Sequence, residues 1–366
     1  MSARQCQLDD GTVVARGEAQ RRLTIFSGYW FPTEGGAEAQ LRQVAGNLHE
    51  LGWSVTVVAG SSRQERARHV DDGTSRVLRI APNSGRSDVR ASGPALLAGA
   101  FSAGLRTRPD AVISSLVSSA SIAGIAVARA LGRPAILRLG GDDLHRHEGS
   151  LPGRMQGRFL VRGASLIVVN ASHLAAQVKF FDPKGRTPTQ VIRNGVVVPG
   201  LPSRRSRTGP TTVAYYTNGG LAKNDPAFIK LVRICPDIEF RAMGRTDHLP
   251  SSPNLTRLGW VTDVATELHR ADAAINTSTS EGSPNFCMQA LAAGRPVLGF
   301  ANGGLRDLAD HWPSDVLTVP IGDVDGLAEV IRGSQLRKHV VTAVMPSPDD
   351  AALAWHDALT MAVRHR

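Results

Sequence analysis

Apolar positions along the chain fall into two alternating patterns. Short apolar runs predict strands over 23–27, 55–59, 77–80, 111–116, 135–139, 166–169 and 190–193. Between them, apolar residues three and four apart predict helices over 37–51, 94–105, 121–131, 153–162 and 171–180. In the first helix Leu41, Val44, Ala45 and Leu48 share one face, and Gly52 ends it. The alternation then breaks and restarts. Strands are predicted over 212–216, 239–243, 255–258, 273–276, 297–300 and 316–319, with helices over 225–234, 264–270, 286–293 and 324–332. Strands alternating with helices imply parallel sheets covered on both faces, so the fold class is α/β with two doubly wound domains.

The break between Pro199 and Pro210, GLPSRRSRTG, lacks apolar pattern and is rich in Pro, Gly, Ser and Arg. The expected organisation is a flexible tail over 1–22, an N-terminal domain over 23–199, a linker over 200–210, a C-terminal domain over 211–345 and a final helical segment over 346–366. That segment carries Leu353, Leu359 and Met361 and is expected to pack back towards the N-terminal domain. The length of 366 residues fits two domains of ordinary size.

Composition narrows the function. No run of eighteen apolar residues is present, so no transmembrane span is expected, and the polar N-terminus does not read as a signal peptide. Cys6, Cys235 and Cys287 lack disulfide or metal spacing, which points to a reducing, cytoplasmic location. The net charge of +10 is uneven: residues 1–200 carry 25 Lys and Arg against 15 Asp and Glu, whereas 201–366 balance at 17 each. A basic N-terminal half suits an anionic partner, a lipid phosphate or an anionic membrane surface, or is a solvated Arg-rich face. Nucleic acid is disfavoured, since only 5% of residues are aromatic and no recognition helix is evident.

Four stretches could carry chemistry. The loop after the first strand ends in Gly35-Gly36 at a helix start, where backbone amides can approach an anion. It is not a dinucleotide fingerprint. Leu139-Gly140-Gly141-Asp142-Asp143 lies at the carboxyl end of a strand, the edge where such sheets bind ligands. Asp142 and Asp143 could accept hydrogen bonds from sugar hydroxyls or cap the next segment. His145 and His147 without further ligands make no metal site. Asn218-Gly219-Gly220-Leu221-Ala222-Lys223 follows the first strand of the second half, and Lys223 could balance phosphate charge or be a solvated Lys at a helix start. Glu281-Gly282-Ser283-Pro284-Asn285-Phe286 enters a helix that Gly294 stops, and after the strand over 297–300 a turn is expected at Gly303-Gly304. Ser283 is the expected N-cap and Pro284 the first helical residue.

The segment EGSPNFCMQALAAGRPVLGFANGG resembles the Glu-x7-Glu motif segment of the retaining, GT-B-fold glycosyltransferases of family 4, the group 1 glycosyl transferases. The resemblance extends over roughly residues 22–340, including Leu258-Gly259-Trp260-Val261 and the Asn194-Gly195-Val196 turn. It implies GT-B architecture and transfer of a sugar from a nucleotide-sugar donor to a hydroxyl acceptor, without a metal or other cofactor. Glu281 would meet the donor sugar and Lys223 the leaving phosphate, with Gly282 to Phe286, Gly36 and Gly219 around the donor. Arg245 and Val261 would lie near its nucleotide end. Two donor-binding positions depart from the family pattern: Gln289 stands where the second Glu, which would bind the ribose hydroxyls, is usual, and Asn218 where an Arg is usual. A third, Leu139-Gly140-Gly141-Asp142, lacks the His of many members. A lipid-linked acceptor and peripheral contact with the membrane's inner face are expected from the charge; the alternative is a non-catalytic relative that binds a nucleotide sugar or a partner enzyme.

Overall fold

A computed structural model describes residues 20–30, 36–60, 69–71, 73–80, 93–141, 143–197 and 210–364. Gly35, Asp142, residues 1–19 of the expected tail and 200–209 of the expected linker lie outside the described residues.

The first half forms β1 (Arg21–Ser27), β2 (Trp53–Gly60), β3 (His69–Asp71), β4 (Ser75–Ile80), β5 (Ala111–Ser115), β6 (Ala135–Leu139), β7 (Leu166–Val169) and β8 (Thr189–Val191). They make one sheet in the order β3-β4-β2-β1-β5-β6-β7-β8, parallel apart from β3. β1 starts at Arg21, inside the expected tail, because Arg21 and Arg22 pair in register with Trp53 and Ser54. The edge strand β3 carries no apolar run, and its polar sequence gave no strand signal. β8 ends at Val191, two residues short of the predicted strand.

The second half forms β9 (Thr211–Thr217), β10 (Ile238–Gly244), β11 (Leu255–Gly259), β12 (Ala273–Asn276), β13 (Val297–Phe300) and β14 (Val316–Val319). Their order is β11-β10-β9-β12-β13-β14, all parallel. Strand order reverses between β1 and β5 in one sheet and between β9 and β12 in the other. In open α/β sheets ligands bind beyond the carboxyl ends of the strands at such reversals.

Small residues let helices sit close on these sheets. A Cβ at Gly104 or Gly124 would come within 2.4 or 2.8 Å of the Phe26 ring, so that ring fills the space two helices leave over β1. The helix Pro348–Arg364 follows the second sheet in sequence but packs against the helix Gly36–Glu50. Trp355, Ala358 and Leu359 join Leu41, Val44, Ala45 and Leu48 in one buried cluster, and the Trp53 indole N–H donates to His356 Nδ1 at 3.2 Å.

Two local expectations are corrected. The helix after Glu281 runs Asn285–Ala292 with Pro284, not Ser283, as its N-cap; the Ser283 hydroxyl turns to Met288 Sδ at 3.0 Å instead. Gly303-Gly304 is not a turn but opens the helix Gly303–His311, whose Asn302 side chain accepts the Leu305 N–H at 3.0 Å. Gly294 takes the left-handed conformation that its place at a helix end implies, φ 69°.

Candidate active site

Loops from the two strands at the second reversal carry the central pair. After β9 the chain makes a short 3-10 turn, Leu221–Lys223, closed by Asn224 in the left-handed region. After β12 it runs through Thr277 and Ser278 to Glu281. Lys223 Nζ lies 2.6 Å from Glu281 Oε1, and the Ser278 hydroxyl donates to the same oxygen at 2.7 Å. Both charged side chains are mostly sheltered, 18% and 16% exposed. The Lys223 carbonyl is held in turn by the Thr277 hydroxyl at 3.0 Å and the Tyr215 hydroxyl at 3.3 Å. Tyr215 also donates to Asp225 at 2.6 Å, and burial raises its pKa first, helped by that neighbouring carboxylate. The Lys turn is therefore fixed from below by a buried hydrogen-bond set.

The other domain supplies the facing wall. Gly36 opens the helix Gly36–Glu50, and its carbonyl accepts from Asn285 Nδ2 at 3.3 Å. Asn285 Oδ1 accepts from Asn194 Nδ2 at 2.8 Å, so one side chain ties two points of the N-terminal domain to the start of the helix Asn285–Ala292. The backbone at Gly282 runs so close to Gly140 that a Cβ on Gly282 would sit 2.1 Å from the Gly140 carbonyl oxygen. Behind the cleft, Asp307 accepts from the Ser172 N–H at 2.8 Å and pairs with Arg193 at 2.5 Å. Burial would raise the Asp307 carboxyl, but the hydrogen bond and charge of Arg193 and the Ser172 N–H outweigh it and hold the pKa below the usual value.

These walls enclose a cavity of about 530 Å³. It brings together Gly36, Asn218, Lys223, Glu281, Gly282, Ser283, Pro284, Asn285 and Phe286 among the sequence-predicted residues. Others lie elsewhere. Gly219, with φ 74°, turns the loop beside the cavity, against Arg245. Arg245 lines a neighbouring open depression with Gly244, Thr246, Arg257 and Trp260, is 62% exposed, and has Asp247 at 3.8 Å. Val261 follows Trp260 and packs on the apolar cluster under the helix Asn285–Ala292, lining neither space. Gln289 is half-buried one turn into that helix and also lines neither. Asp143 turns its carboxylate onto the Gly140 and Gly141 N–H groups at 3.2 and 3.1 Å, and so holds the loop that meets Gly282. Burial raises its pKa against those two hydrogen bonds and the Arg138 charge.

Sequence reasoning missed Arg146, Asn170 and Tyr216 on the cavity wall. Arg146 follows the Asp142-Asp143 pair in a 3-10 turn and is the cation the N-terminal domain presents there. Asn170 follows β7 and donates to the Gly140 carbonyl at 3.3 Å. Its position at a strand's carboxyl end was the available signal. Cys287, in the first turn of the helix, is buried, and burial, reinforced by Glu281, pushes its thiol up to about 12; it stays protonated and offers no nucleophile.

Two Rossmann-like domains meeting at the carboxyl ends of their parallel strands define the GT-B architecture. Residues 35–195 match the family model described as a glycosyl transferase 4-like domain, and residues 226–334 the model for glycosyl transferases group 1. The chain belongs to this glycosyltransferase family. The glycogen synthase of Mycobacterium tuberculosis is 28% identical over 238 residues, 57% of this chain and 56% of that protein. The chain thus spans little more than half the length of the curated relatives it matches. Among solved structures, sucrose-phosphate synthase from Thermosynechococcus elongatus has a TM-score of 0.75 at 15% identity, covering 94% of this chain and 100% of that one. Anabaena HepE in complex with UDP and glucose has a TM-score of 0.67 at 18% identity, covering 93% and 100%. At such identities the likeness is one of fold.

Proposed function

We propose that the protein transfers a sugar from a nucleotide-sugar donor to a hydroxyl acceptor with retention of anomeric configuration. The observation that carries this reading is the Lys223–Glu281 pair on the cavity wall, beside the amide end of the helix Asn285–Ala292. An ammonium and free helix N–H groups at one point suit a departing diphosphate, and the carboxylate beside them suits sugar hydroxyls. Because protein cations and amides would carry the leaving charge, the reading needs no metal or other cofactor. Arg245 would flank the nucleoside end of the donor, outside the main cavity.

In place of the Arg usual at position 218, a second cation would come from the opposite domain. Arg146 reaches the cavity from the opposite domain, whereas Arg245 lines the adjoining depression. A diphosphate clamp assembled from both domains would form only when the cleft is closed. The acceptor would enter from the N-terminal side, where Gly140 and Arg146 line the wall, and a lipid-linked hydroxyl fits that basic half.

A panel of UDP-, GDP- and dTDP-sugars tests the reading in two stages. One nucleotide should raise the melting temperature of the purified chain, and its sugar should then be released or transferred. Stabilisation without turnover against any hydroxyl acceptor, lipid-linked ones included, would favour a non-catalytic sugar-nucleotide binder, the reading that Gln289 and Asn218 support.

A further inference from the structure

The helix Leu151–Gly163 leaves two large apolar side chains in solvent one turn apart, Leu151 at 72% and Met155 at 64% exposure. Phe180, on the adjacent helix Leu174–Phe181, is 43% exposed and carries the Arg154 guanidinium over its ring at 5.7 Å. On the same two helices Arg154, Arg158, Arg162 and Lys179 are exposed, as are Lys184 and Arg186 in the segment that follows. From 151 to 186 the sequence holds a single acidic residue, Asp182, and it is buried. The nearest carboxylate before the helix, Glu148, has His145 Nδ1 at 3.2 Å.

We propose that this face is a docking surface for an anionic lipid bilayer. Exposed Leu, Met and Phe gain by entering the boundary between headgroups and acyl chains, and surrounding cations gain from anionic headgroups. Nucleic acid would reward the arginines but leave Leu151 and Met155 in water. The surface is also placed for use. The helix starts on the turn that carries Arg146 to the cleft wall, since a Cβ at Gly153 would meet the His147 carbonyl at 2.6 Å. Docking there would hold the acceptor side of the cleft at the membrane. The inference goes beyond the transfer reading and stands or falls without turnover.

Flotation of the full chain with vesicles tests it. Vesicles of phosphatidylglycerol and phosphatidylcholine should carry the protein, and phosphatidylcholine alone should not. Leu151→Glu with Met155→Glu should cut the bound fraction about tenfold with the melting temperature unchanged, because both side chains are exposed. Arg154→Glu with Arg158→Glu should do the same, and Lys230→Glu in the other domain should change nothing. No flotation with the anionic vesicles overturns the proposal. So does a loss with Lys230→Glu equal to that at the patch, which would mean bulk charge alone. Unchanged binding by the Leu151/Met155 variant, with displacement by duplex DNA or an acidic peptide, also overturns it in favour of a polyanion or protein partner.

Discussion

Lys223 and Glu281, 58 residues apart, meet at 2.6 Å because their loops leave neighbouring strands at the reversal of strand order in the second sheet. β9 and β12 pair in register from Ala273 with Val213 to Ile275 with Tyr215, so the loops that follow open side by side. Among the described residues neither side chain has another counter-charge at comparable distance. A cation and an anion held together in a sheltered cavity form a site able to receive a ligand that is itself anionic at one end and hydroxylated at the other. On the proposed reaction, Lys223→Ala removes the charge facing the leaving phosphate and should lower kcat by about 10²–10³. Glu281→Ala should be at least as damaging, with the fold retained. Steady-state kinetics on the identified donor measure both, and a wild-type kcat in either variant would take that residue out of the reaction.

Gly282 is a point where the two domains approach closely. A methyl group there would overlap the Gly140 carbonyl, which Asn170 also holds, so the backbone on either side must give. Gly282→Ala should therefore prop the cleft open and cost roughly 1–3 kcal/mol. Small-angle scattering should show a larger radius of gyration than wild type, with weaker donor binding. An unchanged radius and affinity would mean that the domains do not depend on this approach.

Much of this is legible in the sequence. Apolar runs located all strands except β3, whose three residues lack that pattern, and strand–helix alternation implied the parallel sheets. Glu281 and Lys223 stand out as charged residues beside Gly-rich loops at strand ends, although Lys223 also reads as a solvated residue at a helix start. Other features depended on relative placement. Asn285 reads locally as a helix-start residue, but its side chain spans from Asn194 to Gly36, a relation fixed only when the two sheets are docked. Arg193 and Asp307 likewise carry no local mark of being partners. The helix at Gly303 was obscured by its two glycines, although Asn302 before them and Leu305 and Leu308 at helical spacing were signals in plain sequence. Asp143 belongs to a carboxylate pair that suits sugar hydroxyls or a cap; in the fold its Oδ2 accepts from two amides of its own loop.

Asn218 faces the cavity with a neutral side chain, its Oδ1 accepting the Gly220 N–H at 3.0 Å. Asn218→Arg would add a second cation on the wall that already carries Lys223. A charge-assisted hydrogen bond to phosphate contributes about 1.5–3 kcal/mol, so nucleoside diphosphate binding should tighten about tenfold or more. Isothermal calorimetry measures this. No gain would imply that Arg146, or the helix amides alone, already saturate the phosphate.

The last helix joins the two halves of the molecule. Trp355 is 3% exposed between the helix Gly36–Glu50 and the first sheet, within a cluster that includes Trp53 and Leu48. Trp355→Ala should cost about 3–5 kcal/mol, the usual range for deleting a buried aromatic. Denaturant unfolding followed by tryptophan fluorescence would show it. A loss under about 1 kcal/mol would mean that this helix contributes little to the stability of the domain it covers.

Asp307 links acidity to the closure of the same two halves. Its carboxylate is 3% exposed, paired with Arg193 and bonded to the Ser172 N–H across the domain boundary, and its pKa lies below the ordinary Asp value. A carboxyl with a lowered folded-state pKa adds stability above its unfolded pKa of about 3.9, and that stability fades as pH falls through the folded value. Asp307→Asn leaves a neutral group facing a sheltered guanidinium, so at pH 7 the variant should be less stable by about 3 kcal/mol, near the lower end for breaking a buried pair. The difference from wild type should persist down to pH 4 and shrink only below it. Thermal melts of both proteins from pH 7 to pH 3 give the curve. A difference that narrows already between pH 7 and pH 5 would assign the acid sensitivity to another group.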